Sequence, residues 1–507
     1  MSRSTLEHDI RDLAGFGYRQ RLDRTLGGFS AFAAGFSYLS VLTGSSQLFH
    51  LGYAAGGPAF FWTWPAVFAG QFLVALCFAE MASTYPLSGG VYQWSKRAGS
   101  ETIGWMAGWV YLTGSVITLA STSMALQATL PQLSPWFQWV GTASDRGDSA
   151  KNAVLLACAL IAFTTLINTV GVRLLARINN VGVFVELLGV LLLLALLAAA
   201  AKRGPEVVFE TQGKGLGHPL GYLGPALAAS LMATFVLYGF DTAGSLAEET
   251  DDPRRRAPRA ILLALASVGI TGSLLVFTAL LATPDLNDPE LGRGSGGLPY
   301  LIKGVLGPAV GAPFLVVMAF AIIVCTLTVH AAAVRLMFAM ARDNLLPFSK
   351  ALARVDHGSR TPTLPAIVIG VASIGLLMLN LDLPQVIEFM ASVAVVWANL
   401  AYLFVTFPLL WNSWGKTRER PRDFDADEVD EPGFHLGNFR PAVSASAVIF
   451  GTIVIVNIGW PRPEIYGDGP IGRFGAAPAT FAMLGIGLIY DRFVRRHRGG
   501  VLEEHRV

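Results

Sequence analysis

Hydrophobic positions along this chain fall in long unbroken runs, without the short alternations or single apolar stripes of a soluble core. Twelve runs are about 20 residues or longer, enough to cross a hydrocarbon layer as a helix. They lie near 26–50, 58–82, 103–127, 152–171, 178–201, 222–247, 259–283, 311–341, 363–382, 385–411, 442–460 and 475–493. A backbone in lipid must satisfy its own amides, so such runs predict helices. The expected fold class is therefore all-α, a polytopic membrane protein with twelve transmembrane helices.

Composition and charge sharpen that reading. Hydrophobic residues make up 53% of the 507 and charged ones 14%, against about 25% charged in a soluble domain. With the N-terminus in the cytoplasm, 28 of the 37 Lys and Arg fall in cytoplasmic segments and 9 in outward-facing ones. The excess of Lys and Arg inside puts both termini in the cytoplasm. Arg254–Arg256 and Arg495–Arg498 then read as topology anchors, not as a nucleic-acid surface. The first 25 residues are charged and lack the apolar core of a signal peptide, so no cleavage is expected. Cys77, Cys158 and Cys325 all lie within runs and form neither a disulfide framework nor a metal-binding spacing. No phosphate-cradling Gly-rich loop, H-E-x-x-H or nucleophile elbow is present, so neither an enzyme nor a cofactor or metal site is expected.

Two runs are interrupted. Tyr238-Gly239-Phe240-Asp241 breaks the sixth with a Gly and an acid. Hydroxyl and small residues cluster between Phe36 and Ser46 in the first, flanked by Gly35 and Gly44. Non-helical backbone at membrane depth is tolerated only inside protein or beside water, where Ser and Thr can satisfy freed groups. A pair of interrupted segments about 200 residues apart points to a secondary transporter whose site lies between the breaks.

Three stretches carry a family resemblance: YGFDTAGSLAEETDDPRRRAPRAI (238–261), AEMASTYPLSGGVYQW (79–94) and RLMFAMARDNLLP (335–347). The chain resembles the amino acid–polyamine–organocation permeases, and is most similar to their amino acid/choline transporter branch. That resemblance implies a five-plus-five inverted repeat with helices one and six broken. Repeat one would span 26–201 and repeat two 222–411, followed by two extra helices over 442–493. The permease domain would cover 26–495, between a cytoplasmic segment 1–25 and a tail 496–507. The plasma membrane is the expected location. Independently of the family, Asp252-Pro253 and Ala257-Pro258 should end helix six and start helix seven, since Pro fits a helix's first turn.

A broken helix offers amides to anions at the start of its second half and carbonyls to cations at the end of its first. In the permeases this chain resembles, a substrate carboxylate meets first-span amides at a Gly-Ser-Gly turn, and the amino group meets carbonyls of spans one and six. Ungapped counting puts that turn on Leu42-Thr43-Gly44, the carbonyls on Ser40, Phe235 and Tyr238, and the aromatic gate on Phe235. Only Gly44 of the Gly-Ser-Gly pattern is kept, which leaves an amino acid, γ-aminobutyrate, choline or a polyamine as the amino-containing solute.

Two acids stand in apolar surroundings. Asp241 can take a proton, contact a cationic substrate, or cap the half-helix that follows it. Glu186 lies within the fifth run, where proton-dependent relatives resemble this chain but carry a Lys that replaces a sodium ion. Without a basic neighbour in its own run, its carboxyl must be protonated, hydrated or paired across the bundle. It is the expected coupling residue, with Asp241 as the alternative; the coupling ion would be a proton, with sodium also open. Weaker candidates are Thr326, Thr328 and His330 beside the first break, Glu80 at the inner end of span two, and Trp397 and Asn399 along the outer pathway. The expected function is secondary active transport of a small amine-bearing solute by alternating access. A nutrient sensor or channel on a transporter fold is the alternative, though the longest polar segments are only the N-terminal head and 412–441.

Overall fold

A computed structural model describes residues 3–506 apart from Asp23, Thr25, 357–360, 415–432, 468, 470, 471 and 499. Most of the polar segment expected at 412–441 therefore lies outside the described residues. In chain order the helices are α1 (Arg3–Gly15), α2 (Gly28–Leu39), α3 (Val41–Gly56), α4 (Thr63–Thr84), α5 (Gly90–Ala98), α6 (Glu101–Ser123), α7 (Leu126–Leu133), α8 (Arg146–Val170), α9 (Val172–Ala199), α10 (Leu223–Val236), α11 (Thr242–Ser245), α12 (Pro253–Ala282), α13 (Gly297–Arg342), α14 (Ser349–Leu352), α15 (Thr363–Leu379), α16 (Val386–Trp414), α17 (Arg440–Gly459), α18 (Pro463–Tyr466) and α19 (Ala477–Phe493). Among the described residues there are no strands, only isolated bridges joining Tyr18 to Arg506 and Leu26 to Thr250.

Among the described residues, eight helical stretches are long and apolar enough to cross a membrane: 58–84, 101–133, 146–170, 173–199, 253–282, 297–342, 386–414 and 437–459. Helices α10 and α15 are apolar but shorter. The first expected span is present as two helices, α2 and α3, separated by Ser40. Large apolar side chains on the outer helices face outward, among them Leu188, Leu191, Ile449, Ile453 and Phe481. Such faces suit lipid and would be costly in water. The chain is a multi-pass helical membrane protein.

The structure departs from the sequence pattern in three places. Helix α13 begins at Gly297, not near 311, and bends at Gly307, whose φ of 73° a side chain would strain. The apolar run 297–306, expected outside the membrane segments, is therefore helical. Helix α6 continues through a turn at Met124 into α7, past the expected end at 127. The inner half of the sixth span is not a full half-helix. It consists of the four-residue α11 and a 3-10 turn over Ala247–Glu249. Helix α12 does start at Pro253, as the proline pattern indicates.

Helix α3 packs between α10 and α13, and α2 between α12 and α9, so the first span runs through the centre of the bundle. At one end the three stretches that carry the family resemblance converge. Glu248 ion-pairs with Arg342 through two 2.9 Å bonds and accepts the Ser88 amide at 3.0 Å. Arg335 donates to both oxygens of Glu249, at 2.9 and 3.2 Å. Asp343 accepts from Tyr92, Tyr18 and Lys96 at 2.6, 3.0 and 3.1 Å. Outside the second break, which the stretch 238–261 itself contains, these stretches hold that end of the bundle together.

Candidate functional site

The first break is a single residue. Helix α2 closes with the Ser40 amide donating to Phe36 C=O at 2.9 Å, and α3 is helical from Val41. Ser40 itself has φ 30° and ψ 97°, a left-handed conformation that a side chain disfavours. Holding such a residue costs on the order of 1–3 kcal/mol, so neighbours must enforce it. Glu186 of α9, 2% exposed, does so. Its Oε1 accepts from Ser40 O–H at 2.8 Å and from the Leu42 amide at 3.2 Å. With its proton so placed, the Ser40 oxygen accepts from the Thr43 amide at 3.3 Å and the Thr43 hydroxyl at 2.6 Å. The Gly44 amide donates to Ser40 C=O at 3.3 Å within the helix. The stretch expected to be unwound, 40–44, is thus helical from its second residue. All three amides assigned to a substrate carboxylate have partners inside the protein.

The second break is longer. The last bond of α10 runs from Leu237 N–H to Ala233 C=O, so the next carbonyls lie at a helix C-terminus that favours cations. Gly239 then turns the chain at φ 98°, and its carbonyl accepts from the Thr242 amide and hydroxyl at 3.1 and 2.8 Å. Asp241 follows, 1% exposed. It is the residue at the N-terminal boundary of α11, but its side chain makes no capping bond there, unlike the capping role expected among its alternatives. Its Oδ1 instead accepts from Tyr402 and Tyr111 at 2.5 and 2.7 Å, while its buried Oδ2 has no hydrogen bond among the described residues. Tyr402 also accepts the Gly239 amide at 2.8 Å, tying the carboxyl to the turn.

The two breaks face each other. A Cβ on Gly44 would stand 2.3 Å from Val236 Cγ2, and one on Gly239 would stand 2.0 Å from the Tyr38 ring. Only hydrogen fits at either place. Gly44 thus serves the close approach of α3 to α10, not an open amide. The Tyr38 and Tyr238 rings lie 6.3 Å apart, and those of Phe235 and Tyr238 5.9 Å. Between them is a cavity of about 10 Å³ lined by Tyr38, Thr43, Gly44, Thr118, Phe235 and Tyr238, among others. It has room for roughly one water.

Of the expected residues, Thr43, Gly44, Phe235 and Tyr238 line this cavity. Ser40, Glu186 and Asp241 do not; each is buried one side chain behind the wall or beside the turn. The sequence reading missed Tyr111, Tyr402, Tyr38 and Thr118. Their signal was a polar group inside an otherwise apolar run. Cys325, which donates from Sγ to Tyr38 C=O at 3.2 Å, also lines the cavity.

The weaker candidates have partners elsewhere. His330 Nε2 donates to Ala366 C=O at 2.9 Å, which leaves Nδ1 to accept from Thr164 at 3.2 Å. The Thr326 and Thr328 hydroxyls donate to carbonyls of their own helix, and Thr328 also to Asn179. Glu80 is buried and paired with Arg440 at 3.0 Å. Trp397 bonds Thr480 and Asn399 bonds Gln71, each on another helix. No cluster of His, Cys, Asp or Glu able to hold a metal occurs among the described residues.

Comparison with known proteins places the chain in a family. The amino-acid permease BAT1 of Arabidopsis thaliana is 28% identical over 509 aligned positions, covering 95% of this chain and 93% of that protein. Amino-acid permease 2 of Neurospora crassa is 26% identical, covering 91% and 83%. The low-affinity putrescine importer PlaP of Escherichia coli is 26% identical, covering 65% and 69%. The amino acid permease family profile matches residues 26–471. This chain belongs to the amino acid permease family, whose members are transporters and not enzymes.

Proposed function

We propose that this permease carries a small amine-bearing solute, an amino acid or a polyamine, across the plasma membrane through the site between its two helix breaks. The observation that carries the reading is the pair of facing breaks with two buried carboxyls, Glu186 and Asp241, neither paired with a basic side chain among the described residues. Relatives that are amino-acid permeases and a putrescine importer support this solute class. Twelve spans in a five-plus-five repeat, with both termini cytoplasmic, accommodate the breaks, the charge bias and the extra helices α17 and α19.

Transport proceeds by alternating access. A cavity of about 10 Å³ admits no amino acid or diamine, so the site must widen toward one side to load and toward the other to release. Phe235, against Tyr238 and over the Gly44 contact, is the gate that moves. A proton taken by Glu186 would loosen its hold on Ser40 and the Leu42 amide, and so bias the first break between its states. Asp241 is the alternative coupling group. Counterflow in proteoliposomes tests the reading. Saturable exchange of amino acids or polyamines is expected; flux that does not saturate and shows no counterflow would indicate a channel and overturn it.

A further inference from the structure

We propose that Glu186 is a specificity-determining residue: a carboxylate supplied by the chain itself that occupies the first-break amides, so that the site takes amine cations lacking an α-carboxylate. The inference rests on the breaks being the transport site, and it goes on to name the solute class.

Three separate observations lead there. First, the amides at the start of α3 are engaged. Leu42 N–H donates to Glu186 Oε1, Thr43 N–H to Ser40 Oγ and Gly44 N–H to Ser40 C=O. A helix N-terminus attracts one anion well, and here that anion arrives from α9. A substrate carboxylate would have to displace a charge-assisted bond already made.

Second, the cavity wall offers a carboxylate no positive charge. It holds hydroxyls from Thr43, Thr118 and Tyr238, aromatic faces from Tyr38 and Phe235, and no Lys, Arg or His. Aromatic faces and hydroxyl oxygens suit an organic cation. Third, Asp241 Oδ2 is buried beside the second break, close to the α10 carbonyl end, with no hydrogen bond among the described residues. A buried carboxylate oxygen in that setting is compensated by a cation. The favoured solute therefore carries amino groups at both ends, as an α,ω-diamine does. One end would meet the α10 carbonyls and Asp241, the other the hydroxyls near Glu186.

The test uses pairs of ligands that differ only in an α-carboxylate: 1,4-diaminobutane against ornithine, and 1,5-diaminopentane against lysine. Affinities are measured on the purified full chain by titration calorimetry, and again by competition in counterflow. The wild type should bind each diamine about tenfold or more tightly than its amino acid partner. Glu186→Ala frees the Leu42 amide and should shrink that ratio about tenfold, through a gain in amino acid affinity. Glu186→Gln keeps an acceptor oxygen but removes the charge, so it should shrink the ratio by less than Glu186→Ala, about threefold.

A wild type that prefers the amino acids, or that binds neither member of either pair, overturns the proposal without any variant. So does a folded Glu186→Ala with an unchanged ratio. Should Glu186→Ala fail to fold, the wild-type ratios and Glu186→Gln still decide. Phe235→Ala separates the two layers of the argument. If it leaves all four affinities untouched, the site reading itself fails. If it weakens them while Glu186→Ala leaves the ratio unchanged, only the role of Glu186 falls.

Discussion

Buried acids occur in two regions of this protein, and their company differs. In the network where the three family stretches meet, Glu248 faces Arg342, Glu249 faces Arg335 and Asp343 faces Lys96, all at 2.9–3.1 Å. At the helix breaks, Glu186 faces a serine hydroxyl and an amide, and Asp241 faces two tyrosines. Both sets are almost fully buried. A buried carboxylate with a bonded cation is electrically complete, and removing either partner strands the other. One held only by neutral donors has taken up part of the cost of burial and is left open to a proton or a cation. The first arrangement suits a joint and the second a site.

That contrast can be broken most directly at the joint. Arg335→Ala would leave Glu249 buried and unpaired, with an expected loss of roughly 3–5 kcal/mol. It should appear as a large fall in Tm and poor recovery from size-exclusion chromatography. A variant as stable as the wild type would remove the distinction between the regions.

Glu186→Gln should behave in the opposite way. Its effect on Tm should be under about a third of that of Arg335→Ala, because no opposite charge is stranded. It mimics the protonated form, so solute accumulation driven by a pH gradient should vanish in proteoliposomes while exchange persists. If the variant still concentrates solute in response to that gradient, coupling belongs to Asp241 or elsewhere.

The gate gives a smaller effect. Phe235→Ala removes a ring over the cavity and should weaken solute affinity about tenfold, with expression intact. Unchanged solute affinity would make Phe235 a packing residue and would remove the cavity beneath it as the transport site.

The smallest effect concerns pH and the joint. Burial by itself would push the Asp343 carboxyl up, but Lys96, Arg342 and the Tyr92 hydroxyl together hold it below the ordinary carboxylate value. A depressed folded value means stability that is present at neutral pH and lost as pH falls below about 4. Asp343→Asn should therefore flatten the acid end of a Tm-against-pH curve. A curve that keeps its wild-type slope there would mean that other acids dominate it.

Much of the fold was legible because lipid imposes a strict rule on sequence. A run such as 178–201 has no other way to satisfy its backbone, so its helix follows from composition alone. The breaks were legible too, since Gly239 beside an acid and hydroxyls around Ser40 have no use in a continuous span. Their extent was less so. Residues 41–44 and 238–241 each set one Gly and a polar side chain among apolar ones, yet one is helix and the other turn. The reason is Glu186: its carboxylate serves as the anion at the α3 N-terminus and lets helix resume directly after Ser40. An amide on one helix and an acid 144 positions away share no sequence signal.

From its sequence alone, then, the chain determined that it spans a membrane as helices, which runs are interrupted and which acids are stranded in apolar surroundings. These follow from local chemistry: hydrocarbon length, backbone satisfaction and the cost of a lone charge. Only the tertiary structure decided what each stranded group meets. It directed Asp241 to Tyr111 and Tyr402 instead of a helix cap, gave the first-break amides to Glu186, and set Gly44 and Gly239 where α3 and Tyr38 need room. Those choices depend on distances of 2–4 Å between helices far apart in sequence, and packing across the bundle sets such distances.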